Sequence, residues 1–251
     1  MRILLTNDDG IYSSGLCALY EALVEEHEVH VVAPDSERSA VGHAITVADP
    51  LRAHVVKRGN EIYGWAVSGT PADCVKLAAL ELIKQPIDLV ISGINPGANV
   101  GINVLYSGTV SAATEAAILG IRSLAVSIDR YTEPNFCFGA AMVKELLPWL
   151  MQLEFSRPVA VSMNIPALPP QQIRGIRFAR HSLKSLHEEF DKRVDPRGNV
   201  YYWRSGEIWQ VNDMDEDSDI ALLKAGYITL TPIHFDMTAH DCITGLECPC
   251  F

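Results

Sequence analysis

Positive charge is scarce in this 251-residue sequence. Lys and Arg number 20 against 31 Asp and Glu, a formal net charge of −11. Proteins that follow a nucleic-acid duplex along its backbone are normally basic, so duplex binding is not expected. A small anionic ligand would have to be held by local devices, against the field of the whole molecule. A membrane-spanning run is also missing. The longest stretch without a formal charge, Leu89 to Thr114, has the length for one. It contains Ser92, Asn95, Asn99, Asn103, Ser107 and several glycines, whose polar groups are costly in lipid. The opening Met1-Arg2-Ile3-Leu4-Leu5 turns polar at Thr6-Asn7-Asp8, too early for the apolar region of a secretory leader. No membrane association and a cytoplasmic location are therefore expected. With 48% apolar residues, the composition excludes an intrinsically disordered chain.

Several chemical signatures are absent too. No G-x-G-x-x-G follows the first strand, and there is no P-loop lysine. Neither an H-E-x-x-H helix nor a G-x-S-x-G elbow occurs. The six cysteines do not suggest a disulfide framework in a core-rich chain of this length. Cys248-Pro249-Cys250, with Cys242 and His240, is a soft-metal or redox cluster by residue type. Free thiols on a tail are the simpler reading.

What is present begins with alternation. Ile3-Leu4-Leu5 and Val29 to Ala33 are short apolar runs, as are Leu89-Val90-Ile91, Ser123 to Ile128 and Val159-Ala160-Val161. Helical patterns separate them: Ser14 (as cap) to Glu26, Pro71 to Lys84, Thr109 to Gly120 and Phe136 to Leu153. Apolar runs without clean alternation, divided by helices, predict a parallel sheet covered on both faces. Ile45 to Trp65 reads as an excursion from that sheet, with a turn at Arg58-Gly59-Asn60. After Pro166 the pattern changes to extended segments, Arg174–Arg180 and Val200–Trp209. An acidic cluster at Asp213–Asp219, a short helix from Ile220 to Lys224 and a last strand from Tyr227 to Leu230 follow. Residues 1–165 are expected as an α/β core. Residues 166–251 are expected as an extension that serves oligomerisation or returns elements to the core.

Three strand-end loops carry candidate chemistry. Asn7-Asp8-Asp9-Gly10 follows strand one, and in a turn permitted by Gly10 the two carboxylates converge. Convergent oxygens suit a hard divalent cation; an Asx turn is the plain alternative. Asp35 to Ser39 follows strand two and offers carboxylates, a hydroxyl and Arg38. Ser92 to Gly101 follows Leu89-Val90-Ile91 and offers Asn95, Asn99 and flexible glycines. Tyr106-Ser107-Gly108-Thr109 then opens a helix, whose free N–H groups and hydroxyls suit an anion. Ligands gather at the carboxyl ends of parallel strands. The combination therefore predicts a hard-metal and phosphate site, and phosphate-ester hydrolysis as its chemistry. His43 is a candidate general acid, with a structural loop histidine as the simpler reading. His234, Asp236 and His240 form a metal set by type, with an interface or a tail as the plain alternative. Arg193 to Arg197 with Tyr201, Tyr202 and Trp203 have the means to reach a nucleotide; a buried hairpin or subunit contact is the equal alternative. The acidic run at 213–219 reads as a solvated face.

The sequence resembles the SurE family of stationary-phase survival proteins. The resemblance rests on LLTNDDGI (4–11), VVAPDSERSAVGHAIT (31–46), VSGTPADCV (67–75), DLVISGINPGANVG (88–101), VLYSGTVSAATEA (104–116), DPRGNVYYW (195–203) and DSDIALLKAGYITLTP (217–232). It implies a Rossmann-like α/β core with helices on both faces and a hairpin-rich C-terminal extension for oligomerisation, as homodimer or homotetramer. It implies one divalent metal, Mg²⁺ or Mn²⁺, held by Asp8, Asp9, Ser39 and Asn95. The implied activity is hydrolysis of nucleoside 5′-monophosphates, extending to 3′-monophosphates and short polyphosphate. Asp8 and Asp9 are the expected catalytic residues, with a water rather than Asp8 as nucleophile. Ser107, Gly108 and Thr109, with Asn99, are the expected phosphate contacts. A non-catalytic nucleotide-sensing module using the same pocket is the alternative. Two departures from the family pattern stand out: Ala40 where many relatives have Gly, and Pro96 after Asn95.

Overall fold

The structure is a computed structural model that describes residues 1–129, 134–183, 187–208 and 215–243. In chain order its elements are β1 (Arg2–Thr6), α1 (Ser14–Leu23), β2 (Glu28–Pro34), β3 (Ala53–Arg58), β4 (Glu61–Val67), α2 (Pro71–Leu77), β5 (Leu89–Pro96), α3 (Gly108–Ile118), β6 (Arg122–Ile128), α4 (Phe136–Leu150) and β7 (Ala160–Ile165). Then come β8 (Ile176–Phe178), β9 (His187–Val194), β10 (Val200–Ile208), α5 (Asp219–Lys224), β11 (Ile228–Ile233) and α6 (His240–Ile243).

Nine strands form one sheet in the order β3-β4-β2-β1-β5-β6-β7-β11-β8. The strands from β4 to β7 run parallel, and β3 and β11 oppose their neighbours β4 and β7. The middle strands are buried beyond their first residues, which is why they read as apolar runs without clean alternation. Helices cover both faces. Leu16, Leu19 and Leu23 of α1 and Val143 and Leu147 of α4 pack with Ile3, Leu5 and Ile91 on one side. On the other, Cys74, Val75 and Ala112 pack with Leu4, Val32 and Val90. Gly15 permits the close seating of α1, because a Cβ there would lie 2.1 Å from the Ile94 carbonyl oxygen.

Three expectations need correction. Ser13, not Ser14, caps α1; its side chain accepts from the Leu16 N–H. The helix opening at Pro71 is α-helical only to Leu77 and then widens into a π-turn over Ala78–Leu82. The segment read as an excursion is part of the sheet: β4 runs parallel to β2, and β3 forms the edge. The inner half of β4 is buried like the strands it joins, so it gains more by pairing than by standing apart.

Beyond residue 166, β8 and β11 complete the far edge of the sheet. The β9–β10 hairpin makes a separate two-stranded sheet. No helix among the described residues is long and apolar enough to cross a membrane.

Candidate active site

The sheet changes winding direction at β1. The chain steps to β2 on one side and later to β5 on the other. A crevice opens at the carboxyl ends of strands flanking such a switch. Here it is a cleft of about 410 Å³ whose lining includes Asp8, Asp9, Glu37, Ser39, Asn95 and Ser107.

Each side chain has a local reason to be there. Asn7 closes the turn after β1: its Nδ2 donates to the Gly10 carbonyl at 3.1 Å and to Ser13 Oγ at 2.6 Å, and the Gly10 N–H returns to Asn7 Oδ1 at 3.2 Å. Gly10 adopts a φ of 97°, which side chains disfavour. The Asx turn thus exists, but Asn7 makes it and leaves both aspartates to the cleft. Asp8 is 5% exposed. Its Oδ1 accepts a 2.5 Å hydrogen bond from Thr109 Oγ1, and the Thr109 backbone N–H supports it as well. The positive end of α3 is therefore turned onto a protein carboxylate. Gly108 makes this possible, since a Cβ there would lie 2.7 Å from Asp8 Cβ.

The second loop is tied to the first by the Arg38 N–H, which donates to the Asp8 carbonyl at 2.7 Å. Ser39 Oγ donates to Glu37 Oε1 at 2.7 Å. Ala40 follows with a left-handed φ of 56°, where glycine is normally favoured. That conformation gives the Ala40 departure a physical meaning. In the third loop, Asn95 Nδ2 donates to the Gly97 carbonyl at 2.7 Å, which leaves Oδ1 as the amide's remaining acceptor.

The electrostatics point to a missing positive charge. Burial raises the Asp8 carboxyl above its ordinary range, despite the Thr109 hydrogen bonds. Burial, and then the charges of Asp8 and Glu37, push Asp9 up to about 7. Asp9 Oδ2 is buried without a hydrogen-bond partner among the described residues. Crowded carboxylates with an unsatisfied oxygen are costly unless a cation joins them. Two carboxylates, a hydroxyl and an amide carbonyl form an oxygen donor set that fits a hard divalent ion.

Residues 3–188 match the family model described as "Survival protein SurE". The chain belongs to the SurE family. The chain is 50% identical to "5'-nucleotidase SurE" of Syntrophobacter fumaroxidans over 98% of both chains. It is also 50% identical to the protein of that name from Syntrophus aciditrophicus, over 98% of this chain and 93% of that one. Among solved structures, the SurE protein from Aquifex aeolicus superposes with a TM-score of 0.85 at 35% identity, covering 98% of each chain.

Within this SurE fold the expected residues separate. Asp8, Asp9, Ser39, Asn95, Asn99 and Ser107 all line the cleft. Asn99 is also structural: its Nδ2 donates to Ser127 Oγ at 2.9 Å, and its N–H to Asn164 Oδ1 at 2.8 Å. Ser107 caps α3 by accepting from the Val110 N–H. Gly108 and Thr109 lie behind Asp8, and the Thr109 side chain is fully buried.

Other candidates lie elsewhere. Arg38 turns to Asp35, at 3.5 Å, and brings no cation to the cleft. His43 bonds Glu115 Oε2 at 2.7 Å, and Lys76 engages the other oxygen. Burial raises the Glu115 carboxyl, but His43 and Lys76 outweigh it and hold it below the ordinary range. Arg193 pairs with Asp191 within the hairpin. His240 pairs with Asp236, and both are exposed. No group of three or more His, Cys, Asp or Glu side chains among the described residues is placed to hold a metal. The acidic run is only partly a solvated face. Asp219 is 1% exposed and accepts from the Gly101 and Ser182 N–H groups, because it anchors α5 to the glycine-rich loop. Cys248 and Cys250 lie outside the described residues.

Glu37, Tyr106 and Arg204 also line the cleft. Glu37 and Tyr106 sit beside predicted residues in sequence. Arg204 directly follows Trp203, one of the residues read as able to reach a nucleotide.

Proposed function

We propose that this protein is a metal-dependent phosphomonoesterase that hydrolyses nucleoside 5′-monophosphates to nucleoside and phosphate. One observation carries the reading: the carboxylates of Asp8 and Asp9 share a cleft at the sheet's switch point with Ser39 and Asn95, and Asp9 Oδ2 has no hydrogen-bond partner among the described residues. Asp8, Asp9, Ser39 and Asn95 hold one divalent ion, Mg²⁺ or Mn²⁺. When bound, that ion supplies Lewis-acid polarisation of the phosphoryl group. Asp8 is engaged at Oδ1 by Thr109, so its role is to fix the site rather than to attack phosphorus. Water is then the nucleophile. Ser107 and Asn99, which line the same cleft, orient the phosphate, and Gly108 and Thr109 act by positioning Asp8. The relatives named as 5′-nucleotidases support an enzyme over a sensing module. Activity extends to 3′-monophosphates and short polyphosphate, because the donors address the phosphate and not the base.

The chain self-associates as a homodimer or homotetramer through its C-terminal extension. The β9–β10 hairpin supports this: a two-stranded sheet is marginal alone, and Tyr201 and Trp203 are exposed on it. The decisive experiment measures phosphate release from a panel of nucleoside monophosphates with Mg²⁺, Mn²⁺ or EDTA. Release that depends on added metal is the expected result. Full activity in EDTA would sink the assignment.

A further inference from the structure

The cleft's walls belong mostly to the sheet's strand-end loops, with one exception. Arg204 lies on β10 of the separate hairpin, opposite Phe190 in register, and lines the same cleft as Asp8, Asp9 and Ser107. Strand alternation places its side chain on the face opposite Trp203, and Arg204 is the hairpin's contribution to the cleft lining. Arg204 is the one formal cation among the described lining residues, against the carboxylates of Asp8, Asp9 and Glu37. A bound divalent ion brings that set to neutrality only with Arg204 in place. Without the guanidinium the loaded cleft stays negative and opposes a phosphate dianion.

We infer that Arg204 is a substrate-binding residue that pairs through its guanidinium with the phosphate's anionic oxygens. A planar fork of N–H donors matches phosphate geometry. The inference deepens the proposed function, since it names the group that receives the ester's charge opposite the metal ligands. It also explains how a chain with net charge −11 accepts an anion when Arg38 is turned aside and Pro96 offers no charge. Arg204 acts on phosphate and repels the metal, so its removal has opposite effects on the two. A merely structural hairpin residue would loosen both together.

The test uses full-length protein, inorganic phosphate as probe and titration calorimetry without turnover. Arg204→Gln is expected to weaken phosphate binding in Mg²⁺ by about tenfold, the usual scale for a charge-assisted hydrogen bond. Mg²⁺ binding in the absence of phosphate should stay equal or tighten. Arg204→Lys should recover part of the phosphate affinity, because it keeps the charge and loses the fork. In turnover, KM for the nucleoside monophosphate should rise more than kcat falls. Unchanged phosphate affinity in Arg204→Gln would overturn the inference, as would parallel loss of phosphate and Mg²⁺ binding, or no phosphate binding by the wild type. A wild type that binds phosphate through Arg204 but releases none from nucleoside monophosphates would instead overturn the proposed function.

Discussion

The two ends of the central sheet both carry clefts, of about 410 Å³ at the carboxyl ends and about 460 Å³ at the amino ends. Volume does not separate them. At the amino ends, Arg122 donates to the Leu153 carbonyl at 2.7 Å, and Glu154 and Arg157 are exposed. Charge there is solvated or satisfied by the chain itself. At the carboxyl ends, Asp8 is buried and Asp9 is raised to about 7 by burial and by its acidic neighbours. A site is marked by charge that the protein leaves uncompensated, not by empty space. A mostly apolar cavity between α4 and the sheet, lined by Leu147, Leu150 and Met151 with Arg122 and Ser123, has no carboxylate in its described lining.

Substitutions at both ends should widen this contrast most. Asp8→Asn is expected to lower metal-dependent phosphate release at least about 100-fold, while Arg122→Ala leaves it unchanged; equal effects in a steady-state assay would erase the distinction. Gly108→Ala tests whether Asp8 depends on close backing by α3. The new Cβ would lie 2.7 Å from Asp8 Cβ, and Mg²⁺ affinity by calorimetry should fall about tenfold, on the scale of lost supporting contacts around metal ligands. The Asp9 carboxyl gives the contrast a pH axis. Its pKa is raised, so the proton is held below about 7 and competes with metal. Mg²⁺ affinity should therefore drop as pH falls through 7, by up to about tenfold per unit. The linkage has the opposite direction for stability. Metal-free protein should lose stability as pH rises from the ordinary carboxylate range to about 7, and a thermal melt of Asp9→Asn should show a flatter dependence. The smallest effect is expected at Ala40, whose φ is 56°. Ala40→Gly should raise stability by about 1 kcal/mol in denaturant unfolding, with no counterpart at the amino ends.

The sequence made one half of the site readable. Strand-end loops could be located because β1, β2 and β5 carry the apolar or β-branched runs Ile3-Leu4-Leu5, Val31-Val32-Ala33 and Leu89-Val90-Ile91, and because helices intervene between them. Asp8, Ser39 and Asn95 then fall at one edge by topology alone. What stayed hidden was contact across distance. Thr109 bonds an aspartate 101 positions away, a supporting contact that local pattern does not reveal. Asp219 reaches Gly101 across 118 positions, and no composition rule distinguishes it from its solvated acidic neighbours. β4 was misread for a related reason. Its pairing with β2 depends on which edge of the sheet is open, which local pattern does not encode. Arg204 adjoins the Tyr201-Tyr202-Trp203 group that the sequence singled out, but its place on the cleft depends on how the hairpin lies.

Helix α3 touches both the Asp8 loop and the Ser39 loop, through Thr109 to Asp8 and through Glu115 to His43. Six residues of helix, about 9 Å of rise, thus act as a gauge for the distance between two walls of the cleft. A gauge of this kind cannot be adjusted in small steps. Inserting one residue between Thr109 and Glu115 would turn one contact about 100° away from the other, so no register of the longer helix would keep both loops in place.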